Sequence, residues 1–188
     1  MATSPSHHLT LDAARELQSL LSYQVTPGLS EQELDRAEQR YGFRFAADHR
    51  TFLRAGLPLG GRFPDWRDGE PEVLRDMLGW PVEGVLFDVE HNTFWYPQWG
   101  ERPEAVPDAL AAARAHLALV PQLVPVYGHR YLPGIPGQSG HPVLSVYQTD
   151  IISYGADLTD YIHHEFTGRQ GDLNPTHSTV AFWSDLVE

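Results

Sequence analysis

The chain contains no cysteine. Disulfides, thiolate zinc sites, iron–sulfur clusters and cysteine nucleophiles are thereby excluded, and a reducing, cytoplasmic setting is compatible with that absence. Positive charge is scarce: 13 Lys and Arg stand against 25 Asp and Glu, a formal net charge of -12. Such a surface repels phosphate backbones and anionic lipid, so neither nucleic acid nor a membrane is expected as a partner. A basic protein is electrostatically compatible with it. Long apolar runs are also missing. The apolar stretches are too short and too interrupted to cross a bilayer, and residues 1–8 lack the basic-then-apolar pattern of a secretory leader. Low-complexity segments are absent, because the 16 glycines and 15 prolines are scattered as turn punctuation.

What remains reads as one globular unit. The 188 residues are 41% hydrophobic and 20% charged, which suits one domain with a sizeable core. Thr10 or Asp12 is positioned to cap a first helix carrying Leu17, Leu20 and Leu21, after a frayed start. Thr26-Pro27-Gly28 reads as a break. Ser30 and Glu33 have the capping-box spacing, Leu34, Ala37 and Tyr41 follow at helical intervals, and Gly42 is a left-handed stop. A further helix is expected over 48–55, packing Phe52 and Leu53 on the one before it. The stretch 58–69 is turn-rich.

A short helix is predicted over 71–78, then a strand over 80–88, a turn at Asn92 and a second strand over 93–96, a hairpin pattern. Pro107 opens a helix through Ala109, Ala113 and Leu117. Strands follow over 123–131, 143–148 and 151–154, with a reversal at Thr149-Asp150 between the last two. A final helix over 158–166 is capped by Asp157, and 168–178 reads as loop. Val180, Phe182, Trp183 and Leu186 form a last apolar patch that docks back on the domain. Helices, antiparallel strands, an inserted helix and more strands make an α+β order rather than a regular parallel alternation.

The residues that invite chemistry do not assemble a complete catalytic motif in sequence. The ten histidines include the adjacent pairs His7-His8 and His163-His164, and neighbours on a helix point about 100° apart, which is poor for joint ligation. No metal or other cofactor is expected. His129, next to Arg130 and Tyr131 at a strand end, is placed to meet Asp150 at a strand turn, and such a pair makes either a general base or a loop-fixing hydrogen bond. No glycine pattern for phosphate binding is present. Asp65, Asp68, Glu70 and Glu72 beside Trp66 lack the order of a calcium loop and read as a solvated acidic segment. Tyr127, Tyr131, Tyr147 and Tyr154 are candidates to line a pocket with Trp95, Trp99 and His129. Trp80, Phe87, Phe94 and Phe166 are assigned to the core.

Several runs together resemble the SUKH superfamily, the Smi/Knr-type domain. The first is Leu34-x-x-Ala37-Glu38-x-x-Tyr41-Gly42-Phe43 with Phe45 behind it; Ala46-Ala47 stands where the family commonly has proline. A bacterial subgroup is similar over Phe87-Asp88-Val89-Glu90 to Phe94-Trp95 and Trp99-Gly100. The likeness continues from Pro125 through His129-Arg130-Tyr131 to Pro133, from Gly140 to Gly155, and at Asp157-Leu158 and Glu165-Phe166. It covers 29–166, leaving 1–28 as an N-terminal helix with its frayed start and 167–188 as a C-terminal extension packing on the domain.

The resemblance implies a mostly antiparallel sheet of about six strands flanked by helices. It also implies a protein that binds rather than catalyses. Characterised relatives include immunity proteins that neutralise bacterial toxins, often nucleases, and eukaryotic members are regulatory adaptors. The expected working surface carries Trp66, Glu90, Trp95, Trp99, His129, Tyr131, Tyr147 and Asp150, with the aromatics as anchors and the carboxylates pairing with a basic nuclease toxin. Two other readings stand beside it: a small-molecule-binding or hydrolytic enzyme centred on His129, Tyr131 and Asp150, and an intracellular regulatory scaffold.

Overall fold

The computed structural model describes residues 8–169 and 180–187. The N-terminal third is helical and closes on itself. Helix α1 (Leu11–Ser19) is capped by the Thr10 side chain, which accepts from the Ala13 N–H. Strand β1 (Gln24–Pro27) pairs antiparallel with β2 (Gly56–Leu59), so the expected break at 26–28 is the end of a strand. Proline is tolerated there because a two-stranded ribbon is all edge.

Between those strands, α2 (Glu31–Tyr41) starts in a complete Ser30/Glu33 capping box and stops at Gly42, whose φ of 72° is the left-handed conformation glycine favours. Glu38 explains the turn into α3 (Ala47–Ala55). Its buried carboxylate accepts from the Phe45 N–H at 3.0 Å, and Arg44 and Arg50 neutralise it, each at 3.0 Å. Here the pattern of Leu34, Ala37, Glu38 and Gly42 has a local physical reason, since the helix end and the returning chain share one acceptor.

The largest departure from expectation is α4, one 21-residue helix from Pro71 to His91. The strand predicted over 80–88 does not exist, and 93–96 is not its hairpin partner. Pro81 reads as a breaker because it removes the N–H that would bond the Met77 carbonyl. The Tyr131 hydroxyl donates to that carbonyl at 2.8 Å and replaces the missing bond. With the break repaired from outside, the apolar spacing Leu74, Leu78, Pro81, Val85 and Val89 works as a helical stripe, and all five are buried.

After a 3-10 turn (Pro97–Trp99) comes α5 (Val106–Leu117), as the alanine-rich segment predicts. The strand expected over 123–131 is two strands, β3 (Leu123–Tyr127) and β4 (Arg130–Pro133), folded back at Gly128-His129. They continue into β5 (Val143–Tyr147) and β6 (Asp150–Gly155), giving an antiparallel meander in the order β3-β4-β5-β6. The β5–β6 reversal falls at Gln148-Thr149. Helix α6 (Leu158–Thr167) begins at Asp157, whose carboxylate accepts from the Asp160 N–H.

Among the described residues the fold is therefore α+β, with six strands in two antiparallel sheets, of two and four strands, and six flanking α-helices. These strands do not form a single six-stranded sheet. Most of the loop expected over 168–178 lies outside the described residues.

The four-stranded sheet separates two cores. On one face Val124, Leu132 and Val143 pack with Leu17, Leu34, Phe52, Trp66 and Ile162. On the other, Leu123, Tyr131, Leu144, Val146 and Ile151 pack with Val85, Val89, Ala113 and Trp183. Neighbouring strand residues go to opposite cores, as the two-residue period of a strand requires. The C-terminal patch docks as expected. Val180, Phe182 and Trp183 are buried, the Trp183 indole donates to the Pro121 carbonyl at 2.7 Å, and the Tyr96 hydroxyl donates to Asp185. A 3-10 turn (Trp183–Leu186) ends in a parallel bridge between Ile151 and Val187.

Candidate functional site

Helix α4 presents two different faces along its second half. Val85 and Val89 point to the core, while Trp80, Gly84, Phe87 and His91 recur at helical spacing on the opposite side. Trp80 is 47% exposed and Phe87 46%, which corrects the expectation that both are core residues. Tyr147, at the end of β5, is 58% exposed and its ring centroid lies 6.4 Å from that of Trp80. These three are the only exposed aromatic side chains among the described residues. Together with Glu83, Gly84 and Gln148 they line a shallow apolar cleft of about 200 Å³.

The backbone beneath this cleft is held from several directions. Asp88 is buried on the sheet side of α4, and one of its carboxylate oxygens accepts from both the N–H (2.9 Å) and the hydroxyl (2.6 Å) of Thr149. The other oxygen accepts from the Asn92 amide at 2.6 Å. The carboxylate thus clamps the β5–β6 turn to the helix.

Gly84 allows the approach, because a Cβ there would stand 2.9 Å from the Cα of Gln148. Gln148 itself has a φ of 57°, a left-handed conformation unusual for a residue with a side chain. The Trp80 indole adds a hydrogen bond to the Val146 carbonyl at 3.2 Å. Exposed rings on a fixed backbone lose little conformational entropy on docking, the property of an interface anchor.

Glu83 lines the cleft, Glu90 is three positions after Phe87 on α4, and Asp150 is the cross-strand partner of Tyr147. Of the eight residues expected to form the working surface, the structure puts Tyr147 in the cleft and Glu90 and Asp150 on α4 and the β5–β6 hairpin, which carry it. It puts the others elsewhere. Trp95 and Trp99 contact each other at 5.1 Å, and Trp99 stacks on Phe182 and His116, so this pair backs the C-terminal segment. Trp66 is 5% exposed and packs with Phe43 and Phe45 in the first core. Tyr131 is buried, its hydroxyl is committed to Met77, and burial pushes its pKa up.

His129 lies in the β3–β4 turn and forms no hydrogen bond with Asp150. Its neighbours in charge are Arg130, Arg62 and Glu165; burial first, and then the two guanidiniums, push its pKa down. His129, Tyr131 and Asp150 share no hydrogen bond: the Tyr131 hydroxyl is on Met77, and Asp150 lies opposite Tyr147 at the β5–β6 turn.

Arg130 organises a second polar group that the sequence did not reveal. Its guanidinium lies 3.8 Å from the centroid of the Tyr154 ring, donates to Ser145 Oγ at 3.0 Å, and approaches Glu165 Oε2 at 3.5 Å. His164 stacks on Tyr154 with centroids 4.7 Å apart. Arg130 Nε, Glu165 Oε2, His164 Nδ1 and the Tyr161 hydroxyl are buried polar atoms without a hydrogen-bond partner. Among the described residues no cluster of three or more His, Asp or Glu side chains is arranged to hold a metal ion. No described helix is long and apolar enough to cross a membrane.

Sequence reasoning missed Trp80 and Phe87 because 80–88 reads as a strand entering the core. The signal that finds them is the helical recurrence of 80, 84, 87 and 91 opposite 81, 85 and 89. Comparison with known proteins adds no relative: no family model, no curated protein and no solved structure matches this chain.

Proposed function

We propose that this chain is a non-catalytic, SUKH-like protein-binding domain, that its role is that of an immunity protein, and that its partner is a basic bacterial toxin such as a nuclease. The observation that carries the reading is the cleft of Trp80, Phe87 and Tyr147, three exposed rings on a backbone clamped by Asp88. Exposed aromatics cost solubility unless something covers them, and aromatic anchors ringed by polar groups are the usual centre of a protein interface. Glu83 in the cleft, with Glu90 and Asp150 on the same elements and a net charge of -12 on the chain, selects for a cationic partner and speeds its approach. The runs over 34–45, 87–100, 125–133 and 140–155 support the family assignment, and the α+β architecture is consistent with it.

The test is paired capture from the producing cells, and from rival cells that deliver toxins, on wild-type protein and on the F87A/Y147A variant. The expected result is one stoichiometric basic protein on the wild type and its loss from the variant. Equal recovery on both would remove the cleft from the account.

A second reading, small-molecule binding around Arg130, has one observation in its favour: beside the Arg130–Glu165 ion pair, the buried Tyr161 hydroxyl and His164 Nδ1 have no hydrogen-bond partner. It replaces a centre at His129, Tyr131 and Asp150. Ligand-detected NMR screening on wild type and E165Q tests it, and hits that persist unchanged in E165Q would count against it.

A further inference from the structure

Every cationic side chain outside histidine is an arginine, and in a chain with 25 carboxylates most of them find one. Arg15, Arg44, Arg50, Arg54, Arg67, Arg114 and Arg130 all sit within ion-pair distance of an Asp or Glu. Arg36, Arg40, Arg62, Arg75, Arg102 and Arg169 do not, among the described residues. Of these six, Arg36, Arg40 and Arg75 are brought to one place. Arg36 and Arg40 are one turn apart on α2 and line a cleft of about 300 Å³ between that helix and the segment 66–74. Arg75, on α4, and Arg40 both lie over the Tyr41 ring, at 5.9 Å and 5.6 Å from its centroid. Two guanidiniums in the lining and a third beside it, none with a carboxylate at ion-pair distance, leave positive charge that an anion in the cleft would neutralise.

A second observation points to the same cleft. Trp66 lines it while being 5% exposed, and its indole N–H, which can only donate, has no acceptor. The acidic residues in the wall do not cancel the charge. Glu33 is spent on Arg67 at 2.6 Å and on the Ser30 cap, and these bonds hold its carboxyl down at about 2. Asp68 is the one other carboxylate in the lining.

We propose that this cleft binds a small multivalent oxyanion, a phosphate-bearing ligand by preference, with Arg36 and Arg40 as its charged donors, Arg75 as a flanking charge and the Trp66 indole as a neutral donor. The site is separate from the aromatic cleft on the second half of α4 and does not depend on the reading given to that cleft. A planar guanidinium gives two parallel N–H donors, which match the oxygens of a phosphate.

The experiment follows the assigned Trp66 indole resonance by NMR while wild-type protein is titrated at low salt with pyrophosphate and, separately, with citrate. The expected result is a saturable shift with pyrophosphate that weakens about tenfold or more in R36Q/R40Q, as loss of charge-assisted bonds requires, and is partly retained in R36K/R40K. Both arginines are exposed and unpaired, so these variants keep the fold. Saturation by pyrophosphate alone assigns phosphate recognition, and saturation by both anions assigns recognition of multivalent oxyanions by charge. No saturable shift with either anion, or equal affinity in R36Q/R40Q, overturns the proposal.

Discussion

Two aromatic clusters belong to the half of the molecule built on α4 and the four-stranded sheet, and they are treated oppositely. Trp95, Tyr96, Trp99, Phe182 and Trp183 gather around the C-terminal segment, stacked and edge-on at 4.9–5.8 Å, with Tyr96, Phe182 and Trp183 buried. Their polar atoms are used inside the protein: the Trp183 indole on Pro121, the Trp95 indole on Gly100, the Tyr96 hydroxyl on Asp185. Trp80, Phe87 and Tyr147 stay outside, about half exposed, over a backbone that is fixed just as firmly. The first cluster lowers the free energy of the folded chain by burying its own surface. On the reading proposed above, the second leaves that gain to be collected on association.

If the distinction holds, substitutions in the two clusters separate stability from binding. The largest expected effect is in the closed cluster. Trp183→Ala removes a fully buried indole and its hydrogen bond, and should destabilise by about 3–5 kcal/mol. Urea unfolding followed by circular dichroism measures it, and a cost below about 1 kcal/mol would mean that the C-terminal segment is not part of the core.

Next is the support of α4. Tyr131→Phe leaves the part-buried Met77 carbonyl without its donor and should cost about 1–3 kcal/mol. In a Pro81→Ala background, where the backbone N–H returns, the same change should cost clearly less. A double-mutant cycle reads the coupling, and additive costs would dismiss the repair of the helix by Tyr131.

Asp88→Asn keeps the size of the turn clamp but replaces one acceptor oxygen by a donor. It should cost about 1–2 kcal/mol and raise hydrogen exchange at Thr149, whose N–H it bonds. Unchanged exchange would detach the rigidity of the open cleft from Asp88.

The smallest effect is expected far from both clusters. Arg67 first, and then the Ser30 N–H, hold the Glu33 carboxyl at about 2, below its ordinary value of 4.5. A depressed carboxylate contributes stability that is present above its unfolded pKa and is lost as the pH falls toward the folded value. Unfolding free energy should therefore drop more between pH 4.5 and about 2 for the wild type than for Glu33→Gln. Parallel pH profiles would contradict the role given to this pair.

How far the sequence could be read follows the same division. The N-terminal helices were legible because their signals are local: Ser30 and Glu33 are three residues apart, and Gly42 ends what they begin. Asp157 likewise marks α6, and the apolar tail 180–186 marks its own docking. Helix α4 was not legible, because what permits Pro81 in it is a hydroxyl 50 positions further along the chain, at Tyr131.

The candidate surface inherited that error. With 80–88 read as a strand, Trp80 and Phe87 fell into the core, while Glu90, Tyr147 and Asp150 were named without them. Trp66 and Tyr131 were chosen as surface aromatics by type, and type does not distinguish a buried anchor from an exposed one. The pairing of Arg130 with Glu165 joins β4 to α6 and has no sequence spacing to announce it.

The central claim is that the open cluster is a binding surface and not a fault in packing. The most direct test measures the Kd of the captured partner and the unfolding midpoint on the same preparations of wild type and of W80A/F87A/Y147A. Affinity should fall by about 100-fold or more, as loss of anchor residues does, while the protein still unfolds cooperatively with a midpoint near the wild-type one. An unchanged Kd, or a variant that loses its cooperative transition, would contradict it.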